Sequence, residues 1–322
     1  MTPYFASSDV TIYCDDSRTA WGRLPEHSAD AIVTSPPYFG LRDYGHDGQL
    51  GLEPSPDEYI TDLADLLTGY GERVLKPGGS LWLNLGDTYS TGSSQPGWSP
   101  PTTGLNGPGA DRMGTKPIRG VADFPTKCLL MIPERVALAL IGRGWILRNR
   151  VVWAKPNGMP SSVTDRLATK HEALFHLVRQ PRYYYDLDAI REPLKPHTVK
   201  YAVERDAQRF LHANRKHDGE AGQMGCTANA DGANPGDVWT IPTQPYPDAH
   251  FAVFPPELVR RPILATVPEG GTVIDPFFGS GTTAVMARRL GRKAVGVELS
   301  EAYCELAAKR FQQEVFDFGG AA

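Results

Sequence analysis

The chain has 322 residues, 41% of them hydrophobic and 22% charged, with a formal net charge of -4. That is enough apolar material for one large or two modest cores, and it excludes both a disordered polar chain and a protein that holds polyanions through its overall charge. No stretch approaches the ~18 apolar residues of a membrane helix. The N-terminus lacks a basic region followed by an apolar one, and Cys14, Cys128, Cys226 and Cys304 form no CxxC pair, so a soluble cytoplasmic protein with ordinary thiols and no metal is expected.

In chain order, Val10 to Tyr13 reads as a short buried strand leading into Asp15 and Asp16, and Ala31 to Thr34 as a second strand ending in Ser35-Pro36-Pro37-Tyr38. Pro56 to Leu75 has helical spacing, with Tyr59, Leu63, Leu66, Leu67 and Tyr70 on one face and Lys76-Pro77-Gly78-Gly79 as its stop; Ser80 to Leu85 returns as a strand. The stretch from Ser90 to Gly120, rich in Gly, Pro, Ser and Thr, is expected to be a mobile loop facing the substrate. Pro133 to Ile141 reads as a helix and Trp145 to Trp153 as a strand.

Periodicity is lost from about residue 186 to 245, which marks an insertion. Around its start, Arg179 to Lys216 carries nine basic residues against five acidic ones, beside Tyr183-Tyr184-Tyr185. Such a segment is either a solvated helical face or a local basic surface, and its tyrosines either stack on bases or form one core-facing strand. Regular alternation then resumes. Phe254 to Leu264 reads as a helix, Thr272 to Ile274 as a strand, Thr282 to Leu290 as a helix, Ala294 to Val297 as a strand and Glu301 to Glu314 as a final helix. Strands alternating with helices predict a mostly parallel sheet covered on both faces.

Two motifs carry chemistry. Asp275-Pro276-Phe277-Phe278-Gly279-Ser280-Gly281-Thr282-Thr283 is a glycine-rich turn between a strand and a helix, where missing side chains let a ligand approach backbone amides. The next strand ends in Glu298, 23 residues after Asp275, close to the ~20 expected for an acid that accepts ribose hydroxyls. No third glycine stands at dinucleotide spacing and no GxxxxGK[ST] string occurs, so a nucleotide-like cofactor other than NAD or ATP is expected.

The tetrad Ser35 to Tyr38 sets a hydroxyl, two rigid prolines and an aromatic ring at a strand end. Such a turn suits a flat amino-bearing ring: the Ser35 hydroxyl and Pro36 carbonyl accept from the amine, Pro37 fixes the turn, and Tyr38 stacks on the ring. Methylation of an exocyclic amine requires its nitrogen in line with an electrophilic carbon. A base inside a duplex cannot reach such a pocket and has to be flipped out.

These motifs resemble those of the beta-group DNA amino-methyltransferases, in which the catalytic tetrad precedes the cofactor turn. Thr34 to Tyr38 looks like the catalytic motif and Asp275 to Thr283 like the cofactor motif; Glu298 corresponds to the acid after the second cofactor strand, and His250 to Pro255, including Phe254, is similar to the segment that cradles the methionine end. Asp16 matches the acid that contacts adenine, although Asp15 stands where glycine is usual. The resemblance implies S-adenosylmethionine as methyl donor and a Rossmann-like α/β fold of circularly permuted order. Its mixed, mostly parallel sheet would have seven strands, with helices on both faces.

The implied division is a catalytic half over 1-182, a target-recognition region over 183-245 with Arg205 and Arg209 on DNA, and a cofactor half over 246-322. Trp153 to Arg166 and Lys170 to Leu177 are similar to segments flanking the pocket in members that methylate N4 of cytosine. Ser35, where adenine-modifying relatives usually carry Asp or Asn, leans the same way, with N6 of adenine as the alternative. Double-stranded DNA is the implied partner, with or without a cognate restriction endonuclease, for a monomer or homodimer encoded by a prokaryote or phage. A protein amide methyltransferase would carry the cofactor turn upstream of the tetrad, a non-catalytic DNA-binding relative would have lost these residues, and a carbon-5 enzyme would need a Pro-Cys pair that is absent.

Overall fold

The computed structural model describes residues 2–46, 48–90, 124–158, 160–194, 232–243 and 255–318. It divides into two units, one of Met1–Tyr185 with Asp237–Ala322 and one of Asp186–Gly236. In the smaller unit, Glu192 and Ala233 exchange backbone hydrogen bonds of 2.9 and 2.8 Å. Within the same unit Arg191 pairs with Asp188 at 2.6 Å. The 90–120 loop expectation, beyond Ser90, falls outside the described residues, as do Arg205, Arg209 and Phe254.

Among the described residues the large unit has nine strands: β1 (Phe5–Ala6), β2 (Val10–Cys14), β3 (Ala29–Thr34), β4 (Leu75–Leu85), β5 (Ile146–Ala154), β6 (His171–Val178), β7 (Val238–Thr240), β8 (Thr272–Asp275) and β9 (Lys293–Glu298). They form one sheet in the order β1-β2-β9-β8-β3-β4-β6-β5-β7. The expected count of seven is exceeded by the two-residue β1 and the three-residue β7, which extend the two edges. Residues 238–240, expected inside the recognition region, thus pair in parallel with β5 instead. From β2 through β4 the strands run parallel, and β6 is antiparallel to both β4 and β5.

Its described α-helices are α1 (Ser17–Ala20), α2 (Pro56–Arg73), α3 (Ile132–Gly142), α4 (Pro256–Thr266), α5 (Thr282–Arg289) and α6 (Glu301–Phe318). One core joins α2 and α3 to the sheet through Tyr59, Leu63, Leu67, Tyr70, Val136 and Leu140. The other joins α4 to α6 through Val259, Ile263, Val285, Cys304 and Phe311. These cores lie on opposite faces because inward residues of adjacent positions alternate along each strand, as Ile32 and Val33 do on β3.

The start of α2 is legible in Ser55-Pro56-Asp57-Glu58: the Ser55 hydroxyl accepts the Glu58 amide at 3.2 Å, Pro56 occupies the first turn, and two acids face the helix's positive end. Its end differs from expectation. Lys76-Pro77-Gly78-Gly79 does not stop the helix, which closes at Arg73, but lies within β4. The ladder between β3 and β4 shifts register between Ala29 and Ala31, and that irregularity absorbs the extra β4 residues, including Pro77, which has no amide to donate. There the Asp30 carboxylate accepts Lys76 Nζ at 2.8 Å and the Thr272 amide at 2.8 Å, tying β3, β4 and β8 together.

Glycine inside α2 has a packing reason. A Cβ at Gly69 would fall 2.7 Å from the Trp21 indole, and one at Gly71 would overlap the Trp145 indole. Gly71→Ala gains about 1 kcal/mol of helix propensity but overpacks a rigid ring at a cost of about 1–3 kcal/mol. The variant should therefore unfold at lower urea concentration than the wild type; a higher midpoint would show that Trp145 yields without cost.

Candidate active site

The described polar residues of the tetrad and the glycine-rich turn, with Asp16 and Glu298, lie at or near the carboxyl edge of the sheet, the usual ligand edge of an open α/β sheet. Following the strand order along that edge gives Asp16 after β2, Glu298 at the end of β9, the turn after β8, the tetrad after β3, Asn84 on β4, Glu172 on β6 and Lys155 after β5. A cavity of about 400 Å³ runs along it and is lined by residues from every one of these strands. Ser35, Pro36, Pro37 and Tyr38 line it, as do Asp16, Pro276, Phe277, Phe278, Gly279, Ser280, Thr282 and Glu298.

Thr34, Asp275, Gly281 and Thr283 stand behind this lining. The fully buried Asp275 carboxylate accepts Thr34 Oγ1 at 2.7 Å and the Phe277 amide at 3.0 Å through Oδ1, and Thr283 Oγ1 at 2.7 Å through Oδ2. Gly281, with φ of 81°, brings the chain against Phe278 and Phe311, whose rings a Cβ would approach to about 3 Å. These four residues therefore shape the turn from within. Ser17 Oγ also donates to the Pro276 carbonyl, fixing α1 to the same turn.

Burial pushes the Asp275 carboxyl from 3.8 up to about 7 despite the hydrogen bonds from Thr283, Thr34 and Phe277. A carboxyl whose folded pKa is raised contributes fully below its unfolded value, and that contribution is lost as pH rises through the folded value. Asp275→Asn should flatten the decline in urea-unfolding free energy between about pH 4 and 7, an effect of a few kcal/mol at most. A wild-type stability that rises over that window to the same extent as the variant's would contradict this assignment.

The cofactor side of the cavity is a wall of acceptors and donors. Glu298 Oε2 accepts the Gly279 amide at 2.7 Å and Oε1 the Ser300 amide at 2.9 Å, while burial pushes its carboxyl up. Each oxygen keeps a second lone pair for a further donor. Gly279 has φ of 52° and open space where a Cβ would stand. The buried hydroxyls Ser280 Oγ and Thr282 Oγ1 have no hydrogen-bond partner in the described protein, although both residues line the cavity. Buried hydroxyls without partners are costly, so these two fit a polar ligand group in that space. Asp16 caps α1 by accepting the Arg18 amide at 2.9 Å and pairs with the Arg18 guanidinium at 2.5 Å.

The tetrad side forms a connected polar cluster. Tyr38 Oη donates to Glu172 Oε2 at 2.7 Å and lies 3.1 Å from Asn84 Oδ1. Ser35 Oγ donates to the same Asn84 oxygen at 3.2 Å, and Asn84 Nδ2 donates to the Ala173 carbonyl at 3.1 Å. Lys155 pairs with Glu172 Oε1 and sits 4.4 Å above the Trp153 ring centroid. Burial, then the Glu172 charge, holds the Tyr38 hydroxyl well above its ordinary pKa of 10, so it stays protonated. The Tyr38 ring rests against Gly86, where a Cβ would come within 2.5 Å of it, and Tyr59 Oη donates to the Pro37 carbonyl at 2.8 Å.

Asn84, Lys155 and Glu172 were not singled out as site residues from the sequence. Asn84 is the one amide side chain in Leu81-Trp82-Leu83-Asn84-Leu85, a visible signal, and the other two lie in the segments already noted as flanking the pocket. A loop was also missed. Gly40 donates to the Gly51 carbonyl at 2.7 Å, closing a loop whose Leu41, Arg42, Tyr44, His46, Gln49 and Leu50 line the cavity.

A mixed sheet with the tetrad and the glycine turn on one edge is the arrangement expected above for an amino-methyltransferase. Residues 29–309 match the model of a family described as a DNA methylase, acting as N6 and N4 methyltransferases. The chain is 39% identical over 299 residues to the type II methyltransferase M.SmaI of Serratia marcescens, covering 93% of this chain and 89% of that relative. It is 40% identical over 305 residues to the type II methyltransferase M.Cfr9I of Citrobacter freundii, covering 95% and 88%.

The chain belongs to the N6/N4 DNA methylase family and is a DNA amino-methyltransferase of the kind found in restriction-modification systems. In fold it is similar to the PvuII DNA methyltransferase, a cytosine-N4-specific enzyme, with a TM-score of 0.62 at 18% identity over 98% of this chain and 93% of that one. It is also similar to a DNA modification methylase of Thermus thermophilus complexed with S-adenosyl-L-methionine, with a TM-score of 0.55 at 23% identity over 94% of this chain and 93% of that one.

Proposed function

We propose that the protein transfers a methyl group from S-adenosylmethionine to the exocyclic N4 amine of a cytosine flipped out of double-stranded DNA. The observation that carries this reading is the shared cavity in which the tetrad oxygens and the Glu298 to Gly279 wall face one another along one sheet edge. S-adenosylmethionine, when bound, supplies an electrophilic methyl group on a sulfonium. Glu298 and Asp16 would hold its ribose and adenine, while Ser280 and Thr282 would take up polar atoms of its methionine end.

The amine has to be held with its nitrogen toward that methyl. The Ser35 hydroxyl oxygen and the Pro36 carbonyl would accept its two hydrogens, Pro37 would fix the turn, and Tyr38 would provide the ring on which the base stacks. Held in this way, the amine would present its nitrogen lone pair to the donor methyl while the Ser35 and Pro36 oxygens kept its two hydrogens hydrogen-bonded. Ser35 supports cytosine, since adenine-modifying relatives usually carry Asp or Asn there. The compact unit Asp186–Gly236 supports a separate recognition module, on which Arg205 and Arg209 would meet DNA phosphates.

Purified protein incubated with labelled S-adenosylmethionine and unmodified plasmid should yield N4-methylcytosine after digestion to nucleosides. Label only in N6-methyladenine would overturn the base assignment and leave the cofactor reading standing. Glu298→Ala should weaken S-adenosylmethionine binding by about 1–3 kcal/mol through lost charge-assisted hydrogen bonds. Unchanged affinity by calorimetric titration would place the cofactor elsewhere.

A further inference from the structure

The hydroxyls of the tetrad are not left to orient by chance. Tyr38 has one hydroxyl proton and two acceptors within reach, the Glu172 carboxylate at 2.7 Å and the Asn84 amide oxygen at 3.1 Å. A hydrogen bond to a charged acceptor is roughly twice as strong as one to a neutral acceptor, so the closer carboxylate takes the proton. Asn84 cannot turn its amide round, because Nδ2 is committed to the buried Ala173 carbonyl on β6. Its oxygen therefore faces the hydroxyls and takes the Ser35 proton.

Both protons now point away from the gap between Ser35 Oγ and Tyr38 Oη, which are 3.4 Å apart. Two oxygens facing each other through lone pairs are comfortable only when a donor lies against them. An exocyclic amine supplies that donor, one N–H reaching the Ser35 oxygen while the other meets the Pro36 carbonyl. A carbonyl in the same place would set its lone pairs against the Ser35 and Tyr38 oxygens and the Pro36 carbonyl, with no proton available to any of them.

The charge that maintains this arrangement is itself held. Lys155 pairs with the other Glu172 oxygen, its ammonium lies over the Trp153 ring, and the two side chains are 20% and 15% exposed. Without Lys155, Glu172 would be a largely buried carboxylate without a counter-charge.

We propose that Glu172, held by Lys155, is a positioning residue that sets the hydrogen-bond polarity of the tetrad, so that the pocket selects a ring edge bearing an amine over one bearing a carbonyl. This rests on the reading that the cavity receives the target base, but not on which of the two amino bases it is. Glu172→Gln is the informative change. It keeps the size of the side chain, yet its amide can also donate to Tyr38 Oη and turn the tyrosine proton onto Asn84 Oδ1, where it competes with the Ser35 hydroxyl and releases the serine proton toward the pocket.

The test first maps the methylated site with wild-type protein. Duplexes carrying uracil in place of the target cytosine, or hypoxanthine if the mapped target is adenine, then compete against the unmodified duplex. Wild-type protein should favour the amine-bearing duplex by about 10- to 100-fold, the range set by leaving buried polar groups wrongly paired. Glu172→Gln should bring that ratio to within about 3-fold, and lower the single-turnover methylation rate by about 10- to 100-fold, with S-adenosylmethionine affinity unchanged.

Lys155→Met, which keeps the aliphatic stem, should shift the ratio in the same direction and serves as the second variant if Glu172→Gln melts near the assay temperature. A ratio unchanged from wild type in a folded variant, or equal weakening of both duplexes, overturns the proposal while DNA methylation by the wild type stands. A wild-type protein that labels no DNA base instead overturns the function proposed above, and this inference with it.

Discussion

The Asp275 carboxylate is the joint on which the site depends. Its two oxygens hold the end of β3 through Thr34, the turn through the Phe277 amide and the start of α5 through Thr283. Thr34 immediately precedes the tetrad, and Thr283 immediately follows the last cavity-lining residue of the turn. One buried group therefore fixes the distance between what holds the amine and what faces the cofactor. A displacement of about 1 Å between reacting groups is enough to lose much of the benefit of positioning, which explains why a carboxyl is kept in a place where burial works against its charge.

The sheet solves a second geometric problem. A parallel run from β2 to β4 places only strand ends at the ligand edge, and every residue delivered there follows an apolar strand. Because β6 runs the other way, it delivers a residue from its beginning, and Glu172 enters the same edge paired opposite Trp153 of β5. A carboxylate, the Lys155 beyond the end of β5 and the Asn84 of β4 thus meet without any loop having to fold back between them. Side chains mounted on strands are held by ladder hydrogen bonds on both sides, which suits a cluster whose purpose is to keep protons in fixed places.

Much of this was legible in the sequence, for identifiable reasons. The strand, turn, helix, strand and acid from Thr272 to Glu298 follow one another locally, so their order in the chain is their order in space. The capping signal at Ser55 is likewise local. What could not be read depends on pairing between distant segments. Lys76 to Gly79 looks like a helix stop by composition and becomes strand only because β3 offers an irregular partner. Asp275 reads as a ligand contact by its motif, and only its 241-residue-distant bond to Thr34 reveals it as a joint. Glu172 lies 134 residues from Tyr38 along the chain, and Lys155 is nearly as remote, so no spacing rule links them.

The placement of β3 between β4 and β8 has a consequence for how the protein is made. During synthesis β4 follows β3 promptly, but the strand that completes the other side of β3 comes only with Thr272–Asp275, after the whole of the Asp186–Gly236 unit has emerged. A nascent chain therefore carries an unpaired edge, with Ala31 and Ile32 awaiting Val273 and Ile274, for most of its translation. Open apolar edges of this kind invite pairing with other chains, and contacts of such sequence separation form slowly. The central strand of the sheet is thus closed on both sides only once the final segment of the chain, from Thr272 on, has been made.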